Sequence, residues 1–108
     1  MDMVVKRFEI YFVSLNPTLG SEIRKTRPCL IISPNDLNDH LNTVIVAPLT
    51  TTLPKYPTRI NCHVDGKDCQ IALDQLRTID KVRLHKKLGK IDETTAQQVL
   101  AVLKKLFA

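Results

Sequence analysis

Residues 16–35 read NPTLGSEIRKTRPCLIISPN, a polar, basic loop that leads directly into an apolar strand. Pro28 fixes its own φ and favours an extended conformation at Arg27, so we expect the loop to end at this pair. The apolar run at 29–33 predicts a strand deep in a sheet. An arginine at the edge of a rigid core suits a phosphate, because the guanidinium presents a planar fork of donors. On local sequence alone, Arg27 also fits a capping or salt-bridging residue.

Strand-like runs continue on both sides of this segment. We predict strands at residues 9–15, 27–33, 42–49, 58–64, 69–73, 76–79 and 86–91, and a short helical turn at 36–40. Asp65-Gly66 between two such runs is a hairpin signal. Pro48 is expected to mark the end of its strand or a bulge, because proline cannot donate to the ladder.

The C-terminal segment has the pattern of an amphipathic helix. Asp92 and Glu93 are typical of an N-cap and an acidic first turn. Apolar residues then recur at helical spacing: Ala96, Val99, Leu100, Leu103, Leu106 and Phe107. We therefore expect a mainly β fold, a strongly bent sheet or small barrel with a C-terminal helix packed over it, in one domain at 1–108.

Composition and charge restrict the class of protein. The chain is 44% hydrophobic and 25% charged, which is ordinary for a soluble domain. No apolar run approaches the ~20 residues that span a bilayer, and the N-terminus lacks a signal peptide, so we expect a cytoplasmic protein without membrane contact. Residues 81–108 hold seven Lys/Arg and two Asp/Glu, whereas residues 1–80 hold nine of each. The basic end suits a polyanion or an acidic partner segment, or is a solvated face.

The three cysteines and the missing motifs exclude several kinds of chemistry. Cys29, Cys62 and Cys69 are an odd number without a secretory signal, so we expect core residues rather than a disulfide framework. Cys62-His63 and Cys69 lack the paired spacing of a zinc site. The sequence has no P-loop, dinucleotide-binding or metalloprotease motif, so we expect neither a metal nor a cofactor.

Several polar residues follow predicted strands, where functional side chains are often placed. Thr50 can hydrogen-bond a phosphate or a ribose, although threonine is also common in loops. Asp74 is either a turn-former or a site acid, and Gln75 and Arg77 beside it could contact bases or phosphates. Glu22 in the first loop either neutralises its basic neighbours or takes part in chemistry.

Taken in order, these segments resemble the MazF/PemK family of toxin endoribonucleases over nearly the whole chain. The segments that carry the resemblance are Pro17-Thr18, Gly20-Ser21-Glu22, Thr26-Arg27-Pro28 before Leu30-Ile31-Ile32-Ser33-Pro34, Ala47-Pro48-Leu49-Thr50-Thr51, and Asp74-Gln75-Leu76-Arg77-Thr78-Ile79-Asp80. The ordered set is far more specific than any single segment.

The resemblance implies an SH3-like small β-barrel with a C-terminal helix, working as a homodimer. It implies an mRNA interferase that cleaves single-stranded RNA at a short motif without a metal, leaving a 2′,3′-cyclic phosphate and a 5′-hydroxyl and arresting growth. An acidic, MazE-like antitoxin would neutralise it. Arg27 matches the family's catalytic arginine and Thr50 its catalytic threonine, while Asp74 aligns with an acid implicated in some members.

Other roles follow from the same comparison. Either Glu22 or Asp74 could carry the proton. The expected RNA contacts are Ser21, Arg24, Lys25, Thr51, Lys55, Gln75 and Arg77. The chain departs from the family pattern at Phe8, where members often have glycine at the mouth of the first loop, and at Ala72, where some have arginine. The competing hypothesis is a non-catalytic module that binds nucleic acid or an antitoxin.

Overall fold

The computed structural model describes residues 4–23, 25–51 and 56–108. Its elements, in chain order, are β1 Glu9–Ser14, β2 Thr26–Ile31, α1 Asn35–His40, β3 Thr43–Thr50, β4 Arg59–Val64, β5 Lys67–Ala72, β6 Arg77–Asp80, β7 Leu84–Lys90 and α2 Glu93–Leu106. Short 3-10 turns at Leu73–Gln75 and Lys81–Arg83 precede β6 and β7. Each predicted strand and helix is present, with ends that differ by at most two residues.

The strands form one curled antiparallel sheet in the order β4-β5-β3-β2-β1-β7, and β6 also pairs with β3. The sheet curls at β3, because its residues 43–46 pair with β6 while Leu49 and Thr50 pair with β5. Pro48 lies between these two sets of pairs. The strand thus continues two residues past Pro48 instead of ending there, and the missing N–H falls where β6 and β5 separate. The mainly β, half-barrel fold with a C-terminal helix confirms the predicted class.

Apolar side chains cover both faces of the central strands. Cys29 and Ile31 point into one buried cluster, and Leu30 and Ile32 point into the other. Successive residues of a strand face opposite sides, so a strand buried on both faces is a continuous apolar run. This is the physical reason that residues 29–32 lack the alternation of a solvent-facing strand.

Helix α2 covers the second of these clusters with Val99, Val102 and Leu103. The Asp92 carboxylate accepts a hydrogen bond from the Thr95 amide at 2.7 Å, which confirms the predicted N-cap. Val99 is fully buried in the second cluster. By contrast, Phe107 is 74% exposed, so the apolar spacing extends beyond the part of the helix that packs on the sheet. No helix in the described ranges is long and apolar enough to cross a membrane.

Left-handed backbone at the β4–β5 turn and at Phe8 has different causes. Asp65 and Gly66 have φ of 54° and 77°, as expected for the two central residues of a type I′ hairpin turn between β4 and β5. Phe8 has φ of 71° in a region that glycine favours. It precedes β1 and therefore lies at the opposite end of that strand from the first loop, which corrects the expected position at the loop mouth.

Candidate active site

Arg27 and Thr50 are brought together by the register of the central strands. Cys29 pairs with Pro48 across β2 and β3. Continuing this antiparallel register by two residues places Arg27 opposite Thr50. The Arg27 guanidinium donates from Nη1 to the Leu49 carbonyl at 3.4 Å, and Thr50 is 7% exposed at the end of β3. The two residues that the resemblance implies are catalytic are thus cross-strand neighbours.

A cleft of about 190 Å³ opens beside this pair. Its polar lining includes Arg27, Thr50 and Thr51, and its remaining walls come from β1, β3 and the hairpin of β4 and β5. Arg27 is partly buried where it lines the cleft. This arrangement can hold an anionic group against fixed donors.

A second cleft, of about 350 Å³, lies on the first-loop side of β3. It is lined by Ser21, Glu22, Ile23, Pro48, Asp74, Gln75, Leu76 and Arg77. Pro48 lines this cleft, and Thr50, two residues farther along the same face of β3, lines the first, so the two clefts are adjacent along β3. The structure thus collects five of the predicted site residues, which are far apart in sequence, around one depression.

Three side chains from the second half of the chain hold the first loop in place. Gln75 accepts from the Ile23 amide at 2.7 Å, and Arg77 donates from Nη1 to the Leu15 carbonyl at 2.8 Å. Arg83 donates to the carbonyls of Ser14 and Asn16 at 3.1 and 2.7 Å. Gln75 and Arg77 were expected to contact RNA, and these contacts give them a positioning role as well. Sequence reasoning missed Arg83, whose only local signal is its place in a basic connection.

Asp74 is held by an ion pair that sequence reasoning did not find. Its carboxylate accepts two hydrogen bonds from the Arg59 guanidinium, at 2.7 and 3.1 Å, and one from the Thr58 hydroxyl at 3.1 Å. The hydrogen bond from Arg59 lowers the pKa of Asp74, and two further hydrogen bonds and the charge of Arg59 act in the same direction against desolvation. A carboxylate with a lowered pKa is a weaker proton acceptor, so this geometry counts against Asp74 as the base.

Asp74→Asn is expected to lower the free energy of unfolding at pH 7 by about 1–2 kcal/mol, a value discounted because the carboxylate is partly exposed. The cause is that Arg59, with 8% of its side chain exposed, loses its charged partner. Urea unfolding of both proteins measures the difference. Because the folded-state pKa of Asp74 is lowered, its contribution is present above the ordinary aspartate value of about 3.9 and is lost as pH falls through the lower folded value.

The matched control is Asp68→Asn, because Asp68 lies in the hairpin that carries Arg59 and its side chain is 84% exposed. We expect this variant to unfold like the parent protein. Equal losses from the two substitutions would contradict the role of the Arg59 ion pair.

Glu22 is arranged differently from Asp74. Its Oε1 accepts a hydrogen bond from the Leu19 amide at 2.5 Å, which closes a turn inside the first loop. The residue is exposed and lines the second cleft, and no ion pair to a described cation holds its carboxylate. Of the two predicted proton carriers, Glu22 is therefore the one whose carboxylate is not committed to an arginine within the described part of the chain.

The remaining predicted RNA contacts fall into two groups. Thr51 is exposed at the first cleft, and Lys25 is exposed in the first loop, where its amide donates to Asn16 Oδ1 at 3.2 Å. Arg24 and Lys55 lie outside the described residues, so their expected roles stay predictions.

The cysteines are free thiols, and two of them face each other. Cys62 and Cys69 are directly opposite on β4 and β5, with 3.3 Å between their sulfur atoms. Cys29 is fully buried, and burial raises the pKa of its thiol to about 12. Within residues 4–23, 25–51 and 56–108, no group of three His, Cys, Asp or Glu side chains is placed to hold a metal ion.

A thiol oxidant such as diamide is expected to form a disulfide between Cys62 and Cys69 and to leave Cys29 reduced. The two thiols each lose one hydrogen atom to the oxidant and form one S–S bond, since directly opposed strand residues lie within the Cα separation that disulfides span. Intact mass and thiol titration measure the loss of two of three thiols. We expect Cys29 to be the one thiol that stays reduced. Oxidation of Cys29 in the folded protein would contradict this prediction.

The chain is similar to known proteins in both sequence and structure. Residues 6–107 match the family model described as "PemK-like, MazF-like toxin of type II toxin-antitoxin system". Endoribonuclease EndoA of Bacillus subtilis (strain 168) is 38% identical over 104 residues, which cover 90% of this chain and 89% of EndoA.

Two solved structures share the fold at lower identity. MazF (Form-I) from Deinococcus radiodurans superposes with a TM-score of 0.84 at 23% identity, covering 98% of both chains. An endoribonuclease in complex with its cognate antitoxin, from a mycobacterial species, superposes with a TM-score of 0.81 at 24% identity, covering 95% of this chain and 94% of that one.

Proposed function

Because the chain belongs to the family of PemK-like, MazF-like toxins of type II toxin–antitoxin systems, we propose that it is an endoribonuclease toxin that cleaves single-stranded RNA at a short motif without a metal. The observation that carries the proposal is the placement of Arg27 opposite Thr50 at the edge of a cleft. A module that only binds RNA would not require this pair in this register.

The reaction needs groups in three catalytic roles. The ribose 2′-oxygen attacks phosphorus, the P–O5′ bond breaks, and the products are a 2′,3′-cyclic phosphate and a 5′-hydroxyl. A group must take the 2′ proton, a group must stabilise the negative charge that builds on the phosphoryl oxygens, and a proton must reach the leaving 5′-oxygen.

We assign to Arg27 the stabilisation of the negative charge that builds on the phosphoryl oxygens. Its guanidinium is permanently charged and can donate to two oxygens at once. Its backbone position is fixed because Arg27 belongs to strand β2. Arginine is a poor base, since its pKa exceeds ~12. Thr50 is assigned to positioning the phosphate or the ribose, because a threonine hydroxyl is not a base at neutral pH.

Glu22 is the proposed proton acceptor. Asp74 competes poorly for that task, because its ion pair with Arg59 lowers its pKa. The two clefts are adjacent along β3, so a strand of RNA crossing Pro48 would meet Glu22 on one side and Arg27 with Thr50 on the other. Gln75 and Arg77 hold the loop that carries Glu22 and would place it relative to the substrate.

The partners follow from the same proposal. An acidic segment of a MazE-like antitoxin would compete with RNA for the cleft beside Arg27, and the protein would act as a cytoplasmic homodimer. Because both ligands are bound through their negative charges, both interactions should weaken as salt rises.

The test is incubation of the pure protein with a defined single-stranded RNA in excess EDTA, followed by analysis of the product ends. We expect cleavage with 5′-hydroxyl and 2′,3′-cyclic phosphate ends. RNA that is retarded in a gel but intact would support the non-catalytic binding module instead, and cleavage that needs an added metal would overturn the metal-independent mechanism.

A further inference from the structure

Arg27 and Thr50 begin a polar row that crosses four neighbouring strands. Thr50 on β3 pairs directly with Gln70 on β5, and Gln70 pairs directly with Asn61 on β4. Directly paired residues place their side chains on the same face of a sheet. Arg27, Thr50, Gln70 and Asn61 therefore follow one another on one face, and the row leads from the proposed cleavage site to the outer hairpin.

Gln70 is unusual within this row. It is only 6% exposed, and its Oε1 atom is buried without a hydrogen-bond partner among the described residues. A buried acceptor that lacks a donor typically costs about 1–3 kcal/mol. Because methionine has nearly the same length and shape and no polar atom, the stability of the fold gives no reason for an amide at this position.

The amide of Gln70 does have one partner, and that partner is exposed. Gln70 Nε2 donates to Asn61 Oδ1 at 3.1 Å. This bond turns the oxygen of Asn61 toward Gln70 and fixes the orientation of its amide. The exposed end of Asn61 therefore presents its NH₂ group, which is a donor only.

A fixed donor on this face can distinguish bases. Unpaired RNA bases are read through hydrogen bonds to their edges. A keto oxygen, as in uracil or guanine, accepts from an NH₂ group, whereas the amino group of cytosine or adenine at the same place does not. Asn61 is two strand spacings, about 10 Å, from Thr50, which is within reach of a nucleotide close to the cleaved phosphate.

We propose that Asn61 is a specificity-determining residue that selects a keto base near the cleaved bond, and that Gln70 is the residue that positions it. This inference rests on the proposed ribonuclease function of the same face. It assigns two amides, whose arrangement the fold alone does not require, to the choice of RNA motif.

The test uses a panel of single-stranded RNAs that place each of the four bases, one position at a time, at the nucleotides flanking the cleavage site. The parent protein should cleave keto-base substrates faster at one position. Asn61→Asp keeps the oxygen that Gln70 contacts but replaces the outward donor with an acceptor, so we expect the ratio of keto to amino rates to fall by roughly tenfold.

Gln70→Met is the second variant. We expect it to flatten the base preference to a similar degree while its thermal unfolding midpoint stays the same or rises, because the buried unpaired acceptor is removed. The control is His63→Gln. His63 lies on the same strand and face as Asn61, two residues closer to the hairpin turn, and contacts Asp68. It should leave both preference and stability unchanged.

The outcomes separate this inference from the function on which it rests. If the parent protein cleaves none of the RNAs, the proposed function fails. If the parent cleaves and the two amide variants keep its base preference, the specificity assignment is overturned. A lower unfolding midpoint in Gln70→Met with unchanged preference would make Gln70 a structural residue and would likewise overturn it.

Discussion

Arg27→Ala should reduce RNA cleavage a hundredfold or more while the protein remains folded and still binds RNA. Losing one preorganised donor to a developing oxyanion typically costs on the order of 3 kcal/mol of transition-state stabilisation. The fold should tolerate the change, because Arg27 is partly exposed at the start of β2 and the buried clusters begin after it. Single-turnover cleavage rates, circular dichroism and RNA binding at one salt concentration measure the three quantities.

Arg27→Lys is the matched control. Lysine keeps the positive charge but replaces the planar fork with a point charge, so a rate between those of the parent and the alanine variant is expected. If Arg27→Ala cleaves at the parent rate, the assignment of Arg27 to transition-state charge is wrong. If both variants are equally inactive, the fork geometry rather than the charge is the essential property.

Glu22→Gln should lower the single-turnover rate at pH 7 by about a hundredfold. General base catalysis typically contributes 10²–10⁴-fold, and glutamine cannot accept the proton. Its carbonyl oxygen can still accept the hydrogen bond from the Leu19 amide, so the loop should keep its conformation. The cleavage rate on a defined RNA should therefore fall while the urea unfolding curve stays that of the parent protein.

Asp74→Asn is the contrast for this experiment. It should lose stability, for the reason given by its ion pair with Arg59, and should retain most of its cleavage rate at temperatures where it is folded. The reverse pattern, with Asp74→Asn inactive and Glu22→Gln active, would assign the role of proton acceptor to Asp74 instead.

These contacts change what the site residues are expected to do. Gln75 and Arg77 bind the backbone of the first loop, so substitutions there are expected to affect catalysis partly by displacing Glu22. Each makes a hydrogen bond to a residue more than 50 positions away. No local pattern contains such a contact, which explains why these side chains were expected only to contact RNA.

The sequence by itself determined the elements and their class. The apolar run at residues 29–32, the Asp-Gly turn and the Asp92 cap act over a few residues, so local physical chemistry is enough to specify them. The ordered motifs around Arg27, Thr50 and Asp74 were likewise enough to indicate the family.

Only the tertiary structure decided which of these residues meet. The register of β2 on β3 places Arg27 opposite Thr50, the pairing of β3 with β5 adds Gln70, and the approach of Thr58 and Arg59 to Asp74 turns a candidate base into the carboxylate of an ion pair. Side chains that are adjacent in a curled sheet come from strands far apart in the chain. Their distances and the pKa shifts that follow depend on strand pairing, which local sequence does not encode.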